Sequence, residues 1–160
     1  PAAAIPELFA EKVSIICDKE KSSGEALDAV EKIYAALSMR IIFMDSMEHD
    51  LHIAYVSHLS HISSFTLGLT VLEIEKNEKN IFDMAGSGFD STVRLAKSSP
   101  AMWAPIFEQN AVNISQALGV YIEKLKLFKS VIDNKEMKKA YDLMEKANDI
   151  RRILKSWQKI

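Results

Sequence analysis

Cysteine is nearly absent: Cys17 is the only one in 160 residues. A single cysteine excludes an internal disulfide and a multi-cysteine zinc site, and it fits a reducing, cytoplasmic compartment. Long apolar runs are missing too. No stretch approaches the roughly 18 consecutive apolar residues that a membrane span needs, so no membrane partner is expected. Charge of one sign is also lacking, with 20 Lys and Arg against 22 Asp and Glu and a net charge of −2. Such a balance offers no general field for nucleic acid or an anionic lipid surface. The opening Pro1-Ala2-Ala3-Ala4-Ile5-Pro6 has neither an initiator Met nor the basic flank of a signal peptide, so the chain is expected to begin partway into a longer protein. What is present is ordinary for a globular domain: 48% apolar and 26% charged residues, which excludes low-complexity disorder and collagen. The length suits one domain, or one domain with a fragment of another.

Two regions differ in character. Residues 1–45 read strand, helix, strand. Val13-Ser14-Ile15-Ile16-Cys17 is a short apolar run rich in β-branched residues. Ser22-Ser23-Gly24-Glu25 has the Ser-x-x-Glu spacing of a capping box. Behind it Ala26, Leu27, Val30, Ile33, Tyr34 and Leu37 recur at helical spacing. Arg40-Ile41-Ile42-Phe43-Met44 is a second run of strand length. Together they make one βαβ unit with parallel strands. Two parallel strands need both faces covered and both edges paired, so neighbouring strands are expected upstream of Pro1.

Residues 46–160 read as helix throughout. Asp45 or Ser46 can cap a helix, with Glu48 three residues after Asp45. The helical pattern runs from there to about Lys76 without a proline, which suggests a central helix or one shared across a dimer. Asn77 to Asn80 is a polar break, Gly86-Ser87-Gly88 a turn, and a short helix through Arg94 follows. Pro100 suits a first helical position. Pro105 lacks an amide donor, so the first turn is expected to be offset from a long helix ending near Ile132. Asp133-Asn134-Lys135-Glu136 signals the last helix, to about Trp157. Lys124 to Lys159 is locally basic, but Asp142-Lys146, Glu145-Asp149 and Lys135-Lys139 mix attraction and repulsion, as on a solvated face.

Few residues present themselves for chemistry. All four histidines lie between His49 and His61, as two His-x-x-His pairs. On a regular helix His49 and His58 face opposite ways, as do His52 and His61, and no acidic residue lies between His52 and Glu73. No metal site is expected. Ser57, His61, Ser64 and Gly68 instead form a small, polar stripe along one face of an apolar helix. Such a stripe serves either close helix packing with back-bonded serines or a wall facing a polar ligand. Arg94 is the only arginine between Arg40 and Arg151. It suits bidentate carboxylate binding, or a surface ion pair with Asp90. Trp103 near a helix start reads as a core aromatic. Gly86-Ser87-Gly88 lacks the GxGxxG pattern, so no cofactor-binding residue is expected in the chain.

The strings Glu48-His49-Asp50, Tyr55-Val56-Ser57-His58-Leu59-Ser60-His61, Gly88-Phe89-Asp90-Ser91-Thr92-Val93-Arg94-Leu95-Ala96 and Ser99-Pro100-Ala101-Met102-Trp103, with Asn110, resemble the prephenate dehydrogenase family. Their order and separations fit its C-terminal helical dimerisation domain over about Asp45 to Ile132. The resemblance implies a mainly α fold: a helical dimerisation and substrate-contacting domain, residues 46–160. It is preceded by a βαβ remnant of a truncated Rossmann-type nucleotide-binding domain, residues 1–45. The implied activity is oxidative decarboxylation of prephenate to 4-hydroxyphenylpyruvate in tyrosine biosynthesis, with hydride passed to NAD or NADP. By position, Arg94 matches an arginine that binds a substrate carboxylate, His61 a histidine lining the pocket, and Trp103 the pocket tryptophan. Ser57 and His58 belong to the motif in a structural role.

The chain departs from the family at Ser60, where a proline is frequent, and at Ser87, where a second glycine is frequent. The family's dinucleotide fingerprint and catalytic histidine belong to the nucleotide domain and are not found here. The implied state is therefore a homodimer with no catalytic residue and no NAD(P) bound in this fragment alone, which is expected to be inactive. Two other readings stand beside it. One is a stand-alone helical interaction module without catalysis. The other is an arogenate dehydrogenase, whose substrate differs from prephenate by an amino group.

Overall fold

Val13–Cys17 (β1) and Arg40–Met44 (β2) are built from β-branched and aliphatic residues and form strands. They pair in parallel, with Val13 opposite Arg40 and Cys17 opposite Met44. Gly24–Ala36 (α1) connects them and completes the expected βαβ unit. Its cap lies one residue later than the Ser-x-x-Glu spacing implies. Ser23, not Ser22, accepts from the Ala26 amide at 3.2 Å. Glu25 therefore sits in the first turn, where it complements the helix dipole instead of closing a capping box. Among the described residues the sheet has only these two strands, and Ile15, Val30, Ile33 and Phe43 stay exposed. The computed structural model describes residues 5, 7–76, 78 and 80–157; the rest of the N-terminal run, part of the Asn77–Asn80 break and residues 158–160 lie outside them.

Asp18 closes the carboxyl end of the sheet. Its backbone is left-handed, φ 49°, and its amide donates to the Met44 carbonyl. Its Oδ2 accepts from the Lys21 ammonium at 2.7 Å and its Oδ1 from the Ser46 amide at 2.8 Å. Lys21 first, then the Ser46 amide and hydroxyl, hold this carboxyl at about 2.

From Ser46 the backbone is helical without interruption to Glu75, the expected long helix, but it is not α-helical throughout. Ser46–Ile53 (α2) and Leu59–Glu75 (α3) flank a π-helical turn, Ala54–His58. Asp45 is the cap, its Oδ1 accepting from the Glu48 amide at 2.7 Å. In the π turn the Leu59 amide reaches back five residues to the Ala54 carbonyl.

The chain continues through a 3-10 turn at Phe82–Met84, Ser87–Val93 (α4), a 3-10 turn at Arg94–Lys97, Pro100–Gln109 (α5), Ala111–Asp133 (α6), Met137–Ala147 (α7) and Ile150–Trp157 (α8). Three expectations shift. Gly86 is an N-cap, and Ser87 and Gly88 already belong to α4. Pro105 lies inside α5 without ending it, because the ladder bond it removes belongs to Ala101, and both residues face solvent. The break comes instead at Asn110, φ −112° and ψ 28°. The last helix is two helices, parted where the Asn148 amide bonds the Met144 and Glu145 carbonyls.

The chain divides into two compact units, residues 50–122, and residues 1–49 with 123–160. Within 50–122 the apolar core is small: Ala54, Ile114 and Ala117, with Ile62 and Phe107 packed against it. No helix of the described residues is long and apolar enough to cross a membrane.

Candidate functional site

The π turn shapes the site within residues 50–122. Moving the ladder from four to five residues per bond leaves local carbonyls for side chains to use. His61 Nδ1 lies 2.9 Å from the Ser57 carbonyl, and the Ser60 hydroxyl donates to the Val56 carbonyl at 3.3 Å. A carbonyl only accepts, so His61 carries its proton on Nδ1. In the neutral ring Nε2 is then an acceptor, and in the protonated ring a donor. The Trp103 ring lies over this imidazole, centroids 3.6 Å apart and planes tilted 31°.

His58 is held the other way. It is buried, edge-on to Trp103 at 5.9 Å, and its Nδ1 lies 3.3 Å from Asn110 Nδ2. The orientation of the Asn110 amide is fixed by its other bonds. Its Nδ2 donates to the Asp50 carbonyl at 2.7 Å, and its Oδ1 accepts from Asn113 at 2.7 Å. His58 Nδ1 is therefore an acceptor, and the neutral ring is protonated at Nε2. Two histidines three residues apart are held in opposite tautomers against one indole, His61 stacked on it and His58 edge-on.

Trp103 is only 7% exposed, and among the described residues its Nε1–H has no acceptor. A buried donor left unsatisfied costs about 1–3 kcal/mol, and an acceptor on a ligand would recover it.

Arg94 opens the 3-10 turn that follows α4, and its side chain is exposed. The ion pair with Asp90 that its spacing allows is not formed. Asp90 is taken by Lys97 at 2.7 Å, and that ammonium holds its carboxyl below the usual range. Among the described residues no carboxylate pairs with Arg94. The turn is fastened to α3 by Ser64, which is 2% exposed: its hydroxyl donates to the Thr92 carbonyl and accepts from the Ala96 amide, both at 3.0 Å. Next to it Gly68 approaches Ala96, so that a Cβ on Gly68 would lie 3.7 Å from the Ala96 Cβ.

Of the three residues singled out in the sequence, the structure thus stacks His61 on Trp103 and sets Arg94 on a turn anchored one helical turn along α3 from His61. Along the polar stripe, Ser64 and Gly68 pack against the Arg94 turn, and His61 bonds back to the Ser57 carbonyl and stacks on Trp103. Asn110 was visible only as part of a motif, and its role as the fixed point for His58 needs a contact 52 residues away. No group of three or more His, Cys, Asp or Glu side chains among the described residues could hold a metal ion.

The chain is thus a βαβ unit followed by a helical domain in which two oppositely polarised imidazoles meet one indole, with Arg94, lacking a carboxylate partner among the described residues, on a turn fastened to the same helix as His61. Residues 45–146 match the family model described as prephenate dehydrogenase, dimerization domain, and the chain belongs to that family. It is similar to the prephenate dehydrogenase of Bacillus subtilis (strain 168), 25% identical, covering 94% of this chain and 40% of the relative. It is equally similar to the cyclohexadienyl dehydrogenase of Zymomonas mobilis subsp. mobilis, 25% identical, covering 94% of this chain and 55% of that one. Among solved structures, the prephenate dehydrogenase of A. aeolicus in complex with hydroxyphenyl propionate and NAD+ superposes with a TM-score of 0.84 at 25% identity, covering 96% of this chain and 54% of that one. The chain thus spans about half the length of the proteins it matches, or less.

Proposed function

We propose that this chain is the dimerising, substrate-contacting part of an NAD(P)-dependent prephenate dehydrogenase of the cytoplasm, with residues 1–45 closing a nucleotide-binding domain and 46–160 forming the helical domain. The observation that carries the reading is the buried Trp103 indole N–H, which has no acceptor among the described residues, beside the His61 ring. In this reading Arg94 binds a carboxylate of the substrate, Trp103 offers its N–H to a substrate oxygen, and His61 presents Nε2 to the same pocket. In the full protein NAD(P), when bound, would supply the hydride acceptor for oxidation of a substrate carbinol with loss of CO2. Loss of CO2 with hydride asks for orientation in a dry cleft more than for a strong base.

This reading assigns no dinucleotide-binding residue to the βαβ of this chain. The β1–α1 connection runs through a 3-10 turn, Lys19–Lys21, without a glycine-rich loop, and Ser23 already takes one of the first free amides of α1. A homodimer is part of this reading, supported by apolar surface. Leu69, Leu72 and Val112 stand more than half exposed, a surface that suits burial against a second copy.

Arg94→Ala in the full-length protein is the test. A charged pair lost from a closed cleft costs about 2–5 kcal/mol of transition-state binding, or roughly 30- to several-thousand-fold in kcat/KM. Activity within about twofold of the parent enzyme would return Arg94 to the surface and favour a helical interaction module. Running the assay with prephenate and with arogenate separates the two substrate readings, since the residues of this site do not address the amino group that distinguishes them.

A further inference from the structure

α4 ends at Val93, five residues short of the Ser98-Ser99-Pro100 stop, with no glycine or proline at the break. The residues that follow, Arg94, Leu95 and Ala96, are good helix formers. Yet the backbone passes from α to 3-10 at Arg94, with Val93 at φ −90°, ψ 5°. In a continuing α-helix the Ala96 amide would donate to the Thr92 carbonyl. Here the two groups are joined through the Ser64 hydroxyl, which donates to the carbonyl and accepts from the amide, 3.0 Å on each side. A side chain inserted into the hydrogen-bond ladder is a recognised cause of a helix break.

We propose that Ser64 is a positioning residue for Arg94: its hydroxyl is wedged into the Thr92–Ala96 ladder, breaks the helix there and sets where the guanidinium stands. A hydroxyl supplies a strong donor and a strong acceptor from one atom, and the 2% exposure of Ser64 leaves little room for the additional methyl of threonine. Gly68, one turn on, admits Ala96 to the same surface of α3. With alanine at position 64 the direct Thr92–Ala96 bond can form, α4 continues, and Arg94 is carried around with it. His61 lies on the same stretch of α3, so the wedge fixes Arg94 in the same frame as the imidazole.

The proposal rests on the reading of Arg94 as a substrate-binding residue, and steady-state kinetics of the full-length enzyme separate the two. Ser64→Ala is expected to raise KM for prephenate by ~10- to 100-fold, the scale of a misplaced binding group, and to leave KM for the nucleotide unchanged. In an Arg94→Ala background the same change should add no more than about twofold, because its target is gone. If Arg94→Ala cripples the enzyme while Ser64→Ala is silent, or if the two effects multiply, Ser64 only packs helices and the proposal falls alone. If Arg94→Ala is itself silent, the substrate reading falls and takes the proposal with it. Should Ser64→Ala fail to fold, Ser64→Cys keeps a weaker and longer donor at the same place. It is expected to give an intermediate KM, and a parental KM with this variant overturns the wedge.

Discussion

In residues 50–122 the buried side chains are polar almost as often as apolar. His58, Ser64 and Asn110 are each less than one-tenth exposed, and Ser64 and Asn110 bond to backbone groups 28 to 60 residues away. In the βαβ unit at residues 13–44 no described side chain is fully buried, and most of its polar bonds are local, such as Lys21 to Asp18 and Ala26 to Ser23. The first region fixes its own interior with long-range hydrogen bonds. The second makes its elements correctly but leaves the aliphatic faces of α1 and the sheet uncovered. Chain order alone would not reveal that contrast. It separates a region that closes its own interior from one whose aliphatic faces stay open among the described residues.

Asn110→Ala should break that contrast most severely. It removes the fixed point shared by the Asp50 carbonyl, His58 and Asn113, and a loss of about 2–4 kcal/mol is expected in denaturant unfolding. The same truncation on the uncovered face of α1, Ile33→Ala, should stay within about 0.5 kcal/mol for this chain alone. A large cost at Ile33 would mean that the βαβ unit is covered after all. Ser23→Ala removes the α1 cap and should cost about 1 kcal/mol. Gly68→Ala should be neutral or gain up to about 1 kcal/mol. Its Cβ would meet Ala96 at ordinary contact distance, and alanine favours the helix.

The smallest effect concerns acid. The Asp18 carboxyl is held at about 2, against an ordinary value of 3.8. Its stabilisation is fully present above the ordinary value and lost as pH falls through about 2. Asp18→Asn should therefore flatten the acid limb of a stability–pH profile below pH 4 and leave its neutral limb parallel to the parent. An unchanged acid limb would show that the Lys21 and Ser46 bonds do not persist in solution.

The strands at Val13–Cys17 and Arg40–Met44 were legible because strand length and β-branching are local properties, and the Asp45 cap because capping is a spacing of three residues. Pro105 misled for a related reason: a proline signals a lost bond, but only the structure says whether that bond faces water. Asn110, which does break the helix, carries no comparable signal, since its conformation follows from partners far along the chain. In the candidate site, His61, Arg94 and Trp103 could be singled out through a family resemblance. The tautomers of His58 and His61 and the wedge at Ser64 could not, because each depends on a contact that spacing does not encode.

The π turn at Ala54–His58 has one more consequence. Such a turn holds one residue more than the α-helix it interrupts, so it acts as a phase slip in a long screw. Deleting one residue between Ala54 and Ser57 would restore a uniform thread with little change of phase, but drawing the intact sequence into α-helix throughout would turn His58 and His61 by about 100° relative to Asp50. Both rings would leave the indole, although every residue of the site would still be present.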